Sequence, residues 1–393
     1  MKTRFGLSLI AVLLSLSVLL IACAAPATPP PPTAAPPPPT SAPAPTTAPA
    51  PTTAPAPTTA PAPTKPPATS APAPTTAPAP TTAPAAGTGK VYVLVPKNLG
   101  NPYFDTANKG AQVAAKELGV TVNYQGPATA DATQQIQLLN SLIAQKVAGL
   151  AISADDSDAL VPTGKTAMSG GIPVVTWDSA IAPGGRTVHI NQAVSADIAE
   201  IELKMALDLT GPSGGKVAIL SATSTAPNQN EWIGLMKQQI TTPAYSKLQL
   251  VDTVYGNDDD TKSYSEAQGL IKKYTDLKVI IAPTTVGIAA SARAVQDASL
   301  VGKVFVTGLG TPNQMRDYVK SGASPEFALW NPSDLGYLAI YTLDAIANGK
   351  IKGVPGDKFT AGKLGNYTVN PDGTVLLGKP TIFSKDNIDQ FNF

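Results

Sequence analysis

From about residue 90 onward, short apolar runs alternate with longer amphipathic stretches to the end of the chain. Compact apolar runs bounded by turn residues predict buried strands, and apolar spacing of three to four predicts helices. Residues 91–95 (VYVLV) predict a first strand, 102–118 a helix stopped by Gly119, and 120–124 a second strand. Helices over 131–146 and 159–168 alternate with strands over 148–152 and 173–176, and another short strand ends at His189-Ile190-Asn191. A helix over 195–209 leads to Gly211-Pro212-Ser213-Gly214-Gly215, which breaks the chain, and then the pattern restarts. Strands follow over 216–220, 248–254, 279–281, 304–307 and 327–329, with helices over 230–240, 262–274, 287–297 and 314–320 between them. Strand–helix alternation of this kind predicts an α/β fold of two doubly wound parallel-sheet units. Ligands of such sheets bind at the carboxyl ends of the strands, so the expected site is a cleft between the two units.

The first 89 residues follow a different pattern. Lys2 and Arg4 precede an apolar run over 7–21, which is short for a membrane span of roughly 20 residues and has the layout of an export signal. Leu20-Ile21-Ala22-Cys23 resembles the lipobox of bacterial lipoproteins, which implies cleavage after residue 22 and lipidation of Cys23, the only cysteine of the chain. More than one acyl chain there would suffice for stable anchoring. Residues 24–89 repeat Ala-Pro-Ala-Pro-Thr-Thr and contain no large apolar side chain, so nothing offsets the entropy of ordering them. A polyproline-rich spacer of this kind reaches at most about 200 Å, at roughly 3.1 Å per residue.

Composition narrows the chemistry. Without Lys2 and Arg4, 26 of the 28 basic residues remain against 27 acidic ones, which is no basis for binding nucleic acid. His189 is the only histidine and sits at a strand end, where a core or hinge role outweighs a catalytic one. Gly164-Lys165-Thr166 ends like a phosphate-binding loop but has Ala159 at the first glycine. Asn257-Asp258-Asp259-Asp260 lacks the glycine and glutamate of a calcium loop, so Asp260 reads as a helix cap. Asp155-Asp156-Ser157-Asp158 likewise reads as capping before Ala159. No metal, no cofactor and no catalytic residue is expected.

The strand ends carry Lys97, Asn98, Asn101 and Phe104, then Asp155 and Asp178, then Asn228, Gln229 and Trp232, then Pro283, Thr284 and Thr285, and finally Trp330 and Asn331. Carboxylates, amides and an ammonium suit hydroxyl groups, and flat aromatics suit the C–H face of a sugar ring. Trp177 either adjoins that surface or points into the core.

Several segments together resemble the type I periplasmic binding proteins, and among them the rhamnose-binding and autoinducer-2-binding groups. They are PKNLGNPYFDTANKGAQ from Pro96, ISADDSDALVP from Ile152, TWDS from Thr176, NQNEW from Asn228, APTTVG from Ala282, GKVFVTGLGTP from Gly302, FALWNPSDLGY from Phe327 and NIDQF from Asn387. The resemblance implies two lobes joined by three crossings, near Asn191, Asn331 and Gly365, which close on ligand as a hinged trap. It implies a first lobe of 90–191 plus about 332–364 and a second of 192–331 plus about 365–393. It also implies ligand contacts from Lys97, Asp178, Asn228, Gln229, Pro283 and Thr285. Asn228 stands where the autoinducer-2 group has a carboxylate, and Thr285 where that group has alanine, so L-rhamnose or a similar deoxyhexose is expected, with autoinducer-2 as the alternative. The implied partner is an ABC permease, the implied state a monomer outside the cytoplasm. A sensor partner and a sugar-modifying enzyme are the competing expectations.

Overall fold

A computed structural model describes residues 89–393. The export signal, Cys23 and all but the end of the repeat spacer lie outside the described residues. The first part runs β1 (Val91–Val95), α1 (Pro102–Leu118), β2 (Thr121–Tyr124), α2 (Ala132–Ala144), β3 (Gly149–Ile152), α3 (Val161–Ser169), β4 (Val174–Trp177) and β5 (Val188–Asn191). The second runs α4 (Ser195–Thr210), β6 (Gly215–Ser221), α5 (Pro227–Gln239), β7 (Leu248–Tyr255), α6 (Asp260–Lys273), β8 (Leu277–Ala282), α7 (Thr285–Asp297), β9 (Phe305–Gly308), α8 (Pro312–Ser321) and β10 (Glu326–Leu329). The chain ends with α9 (Pro332–Ala347), β11 (Lys358–Thr360), β12 (Asn366–Thr368), β13 (Thr374–Leu376) and β14 (Thr381–Ser384).

The first sheet is ordered β13-β5-β4-β3-β1-β2 and is parallel throughout. β3 and β4 are buried along their whole length, as strands covered by helices on both faces must be. The second sheet is ordered β7-β6-β8-β9, also parallel, and a bridge between Leu309 and Ala328 attaches the antiparallel pair β10–β14 beside it. The two sheets share one plan. In each, the first strand lies between the second and the third, so the order reverses there and opens a crevice at the strand ends. The loops after β1 and β3 flank that crevice in the first lobe, and those after β6 and β8 flank it in the second.

Helix ends follow their local chemistry. Asn101 accepts from the Tyr103 amide at 3.0 Å to cap α1, and Gly119 ends the helix at a φ of 68°. For α6 the cap is Asp259, whose Oδ1 accepts from the Lys262 amide at 2.7 Å, not the expected Asp260. Asp260 is instead the first helical residue and pairs with Arg293 at 2.7 Å. The Asp-rich turn after β3 is also built differently. Asp156 accepts from the Asp158 and Ala159 amides, while α3 begins at Val161 with no side-chain cap.

The lobes are connected by chain between β5 and α4, between β10 and α9, and between β13 and β14. α9 returns to the first lobe and lies along α1. Their approach is so close that a Cβ on Gly110 would sit 1.7 Å from the Ser333 carbonyl oxygen, and one on Gly336 2.0 Å from that of Ala107. The third crossing departs from expectation. β13 pairs Thr374 with His189 and Leu376 with Asn191, extending the first sheet, so the chain passes over after Leu376 and not near Gly365. The hairpin β11–β12 precedes it, with β11 packed on α9. Among the described residues, no helix is long and apolar enough to cross a membrane.

Candidate ligand-binding site

Both crevices face each other across a cavity of about 340 Å³, counting the solvent at its mouth. Of the residues expected at the site, Lys97, Asn101, Phe104, Asp178, Asn228, Gln229, Trp232, Pro283, Thr284, Thr285 and Trp330 line it. Asn331 does not. It is exposed at the N-cap of α9, where its Oδ1 accepts from the Ser333 amide and its Nδ2 donates to Asp334.

Asp178 is the centre of the polar network. It follows β4 and adopts a φ of 62°, a left-handed conformation that aspartate tolerates better than most residues. Its Oδ2 accepts from Ser153 Oγ at 2.7 Å and its Oδ1 from the Tyr103 hydroxyl at 3.0 Å. Lys97 Nζ lies 3.6 Å from Oδ2, and both side chains of the pair are almost fully buried. The ammonium also donates to Asn228 Oδ1 at 2.9 Å, which places a bond from the first lobe directly on the second. Asn228 Nδ2 reaches back to the Asp178 carbonyl at 3.3 Å. A third cross-cleft contact joins the Thr285 hydroxyl to Asn101 Oδ1 at 3.4 Å. With these bonds the lobes are closed on each other.

Why these positions recur is a matter of backbone. Asn228 and Gln229 are not in a loop but in the first turn of α5, which begins at Pro227. Gln229 uses its Oε1 within its own lobe, accepting from Ser221 Oγ at 2.7 Å and the Ala222 amide at 2.8 Å. That leaves its Nε2 as the group able to donate into the cavity. Thr284 precedes α7 and donates its hydroxyl to Asp258, leaving the α7 amide terminus uncapped by a side chain.

The walls are aromatic. Trp232 and Trp330 meet edge-on at 6.0 Å, and Phe104 stands at 90° to Trp177. Trp177 belongs to the core, fully buried with its indole N–H donating to the Ala151 carbonyl at 3.1 Å. Leu309 and Leu329 complete the apolar side.

Sequence reasoning did not single out Tyr103, Asp258, Leu309 or Leu329 as ligand contacts. Tyr103 precedes Phe104 on α1, and nothing in an Asn-Pro-Tyr-Phe run tells which ring faces the cleft. In the fold, its hydroxyl accepts from Trp330 Nε1 at 2.9 Å while donating to Asp178, and burial raises its pKa well above the ordinary phenol value. Asp258 follows β7 in the left-handed region, at a φ of 51°. Burial raises its pKa, against the opposing pull of Lys97 and the Thr284 hydrogen bond, and Asp178 adds to the rise.

Two other residues turn out to be buried and outside the cavity lining. His189 bonds Thr176 Oγ1 at 3.0 Å, and burial pushes it down to about 3, so it stays neutral and away from the cavity. Asp155 is not a cap. Its side chain points inward with only 1% of the residue exposed, and neither carboxylate oxygen has a hydrogen-bond partner. Among the described residues, no group of three or more His, Cys, Asp or Glu is placed to hold a metal.

A two-lobed, doubly wound fold with a small cavity of polar and aromatic side chains at facing switch points is the architecture of a binding protein that closes on its ligand. The chain belongs to the periplasmic binding protein family: the model of a periplasmic binding protein domain matches residues 92–351. The resemblance to the type I group is borne out by solved structures. A sugar ABC transporter protein from Actinomyces odontolyticus ATCC 17982 is 46% identical, with a TM-score of 0.63, over 77% of this chain and 98% of that one. An ABC transporter solute-binding protein from Clostridium phytofermentas, solved with bound L-rhamnose, is 38% identical, with a TM-score of 0.74, over 78% and 98%. LsrB from Clostridium saccharobutylicum, solved in complex with AI-2, is 28% identical, with a TM-score of 0.74, over 77% and 100%. Members of this family bind and hand over solutes, and the chain is a binding protein and not an enzyme.

Proposed function

We propose that this chain is the lipid-anchored capture component of an ABC sugar importer and that its ligand is L-rhamnose or a similar deoxyhexose. The observation that carries this reading is the cavity itself. Lys97, Asp178, Asn228 and the Gln229 amide offer donors and acceptors from both lobes, opposite a wall of Phe104, Trp232, Trp330, Leu309 and Leu329. Hydroxyl groups on one face of a sugar match the first set, and ring C–H groups and a 6-methyl match the second. The sequence identity to a protein solved with L-rhamnose, greater than that to the AI-2 complex, supports the choice of sugar. So does Asn228, since an amide both donates and accepts where a carboxylate only accepts. AI-2 remains the second reading, favoured by the equal structural similarity of its binding protein.

In this reading ligand bridges Lys97 and Asp178 on one lobe to Asn228, Gln229 and Thr285 on the other, and shifts the equilibrium to the closed form by contacts that the open form lacks. The protein acts as a monomer outside the cytoplasm. Cys23 carries the lipid, residues 1–22 are removed, and residues 23–89 tether the lobes within reach of the permease. Calorimetric titration of a soluble fragment from Gly87 onward with L-rhamnose, AI-2, ribose and glucose tests the ligand. Tight one-to-one binding of rhamnose is the expected result. Binding of AI-2 alone would replace the sugar with the signal molecule, and mass spectrometry of the membrane-extracted chain checks the acylation of Cys23.

A further inference from the structure

Asp155 follows β3 by three residues and is part of neither the polar network around Asp178 nor the cavity lining. Its own backbone is fixed. The amide donates to Gln135 Oε1 at 3.0 Å, and the same glutamine donates to the Ser153 and Pro96 carbonyls at 2.8 and 3.1 Å. The residue is thereby held between the loops after β1 and β3, and Asp258 of the second lobe is among the charges that act on its carboxylate. A buried carboxylate with no donor on either oxygen is an exception among folded proteins and requires a reason.

Burial, together with the charges around it, supplies one. Lys97, from the loop after β1, is the cation that faces it. Against that stand Asp258 from the second lobe, Asp131 ahead of α2, and the neighbouring Asp156. Asp258 in turn faces Lys97 and Asp178. Closure therefore brings a second-lobe carboxylate towards two first-lobe carboxylates and the one ammonium already bonded to Asp178 and Asn228. Like charges confined together with water excluded do not all stay ionised.

We propose that Asp155 is a proton-binding site linked to closure, so that the protein takes up a proton at this carboxylate as the lobes close on ligand. This inference rests on the closing mechanism proposed above, but not on the identity of the sugar. It agrees with the direction of titration. Burial above all, against the attraction of Lys97 and with smaller contributions from the repulsion of Asp258, Asp131 and Asp156, pushes Asp155 up to about 8 in the closed form. In the open form, with Asp258 withdrawn and water admitted, the carboxyl returns towards its ordinary value near 4. A group whose pKa is raised in the closed state favours that state at low pH and loses the effect as pH rises through the raised value. Ligand would be held most tightly on the acid side and released more readily on the alkaline side.

The test uses the full-length chain and two readouts. In the first, L-rhamnose is titrated at pH 5.5, 7.0 and 8.5. Affinity is expected to fall by about three- to tenfold per pH unit, approaching the limit set by one proton. In the second, tryptophan emission is followed over the same range without sugar. The chain has three tryptophans, of which Trp232 and Trp330 line the cleft, so closure at low pH is expected to shift emission to the blue. Asp155→Asn keeps the shape and removes the titration, and both responses should vanish. Asp258→Asn should keep them with a lower midpoint. If the sugar does not bind, the choice of ligand fails while the emission still decides the proton site. Affinity and emission that do not change with pH, or a pH response that survives Asp155→Asn, would overturn the assignment.

Discussion

At Asp178 the backbone and the side chain make opposite demands. A left-handed φ costs a non-glycine residue about 1–2 kcal/mol, yet Ser153, Tyr103 and Lys97 all converge on the carboxylate held there. Asp178→Asn keeps a residue that tolerates this conformation and removes only the charge. Since a hydrogen bond to a charged group contributes about 1.5–3 kcal/mol, ligand affinity should fall tenfold or more in calorimetry while the melting temperature changes little. Unchanged affinity would exclude Asp178 from the site. Tyr103→Phe removes both the donor to Asp178 and the acceptor of the Trp330 indole, and leaving that N–H unpaired costs about 1–3 kcal/mol. A lowered melting temperature together with several-fold weaker binding is expected, and an effect on stability alone would make the hydroxyl a structural tie only. Lys97 and Asp178 were legible in the sequence because charged residues stand out after a buried strand. Tyr103 was not, because its role depends on Trp330, which lies 227 residues away. Asp155 was misread for the same reason: an Asp-rich turn looks like a cap until the neighbouring lobe is in place.

The elements themselves followed the apolar pattern closely. α1 begins and ends where its proline and glycine signals place it, and the strands of both sheets differ from expectation by a residue or two at their ends. What the pattern left out were β11, β12, β13 and β14, strands of three or four residues whose pairing is decided by partners elsewhere and whose sequences carry too few positions to show a period. Helix packing is most demanding between α1 and α9, the element that carries the second crossing back to the first lobe. The expected consequence of Gly336→Val is a loss of about 1–3 kcal/mol or more, because the new side chain meets the Ala107 carbonyl and the two helices must separate. Thermal denaturation would register it as a drop of several degrees, and an unchanged melting point would mean that the helices are free to slide apart. The same substitution at Gly234, where a Cβ meets nothing within 4 Å, should be far milder.

For the whole molecule, the pattern predicted paired sheets, and the family resemblance predicted the crossings, but the position of the third depended on a strand too short to see. β13 completes the edge of the first sheet, and β14 then pairs antiparallel with β10 in the second. Ending the chain after Pro380 should therefore leave β10 with only its bridge to Leu309, and Phe327 without its stacked partner Phe383. Such a chain is expected to lose the second lobe's cooperative melting and all ligand binding, whereas a fold unaffected by the truncation would make β14 dispensable. The late return of the chain also bears on how the protein comes into being. A polypeptide synthesised from its amino end presents most of each lobe early, yet neither can be finished until the segment from Thr374 onward has emerged. Contacts between segments so far apart in sequence form slowly. The last step of folding is thus reserved for the carboxyl terminus, and a chain cut short during synthesis is left with two open edges in place of one finished lobe.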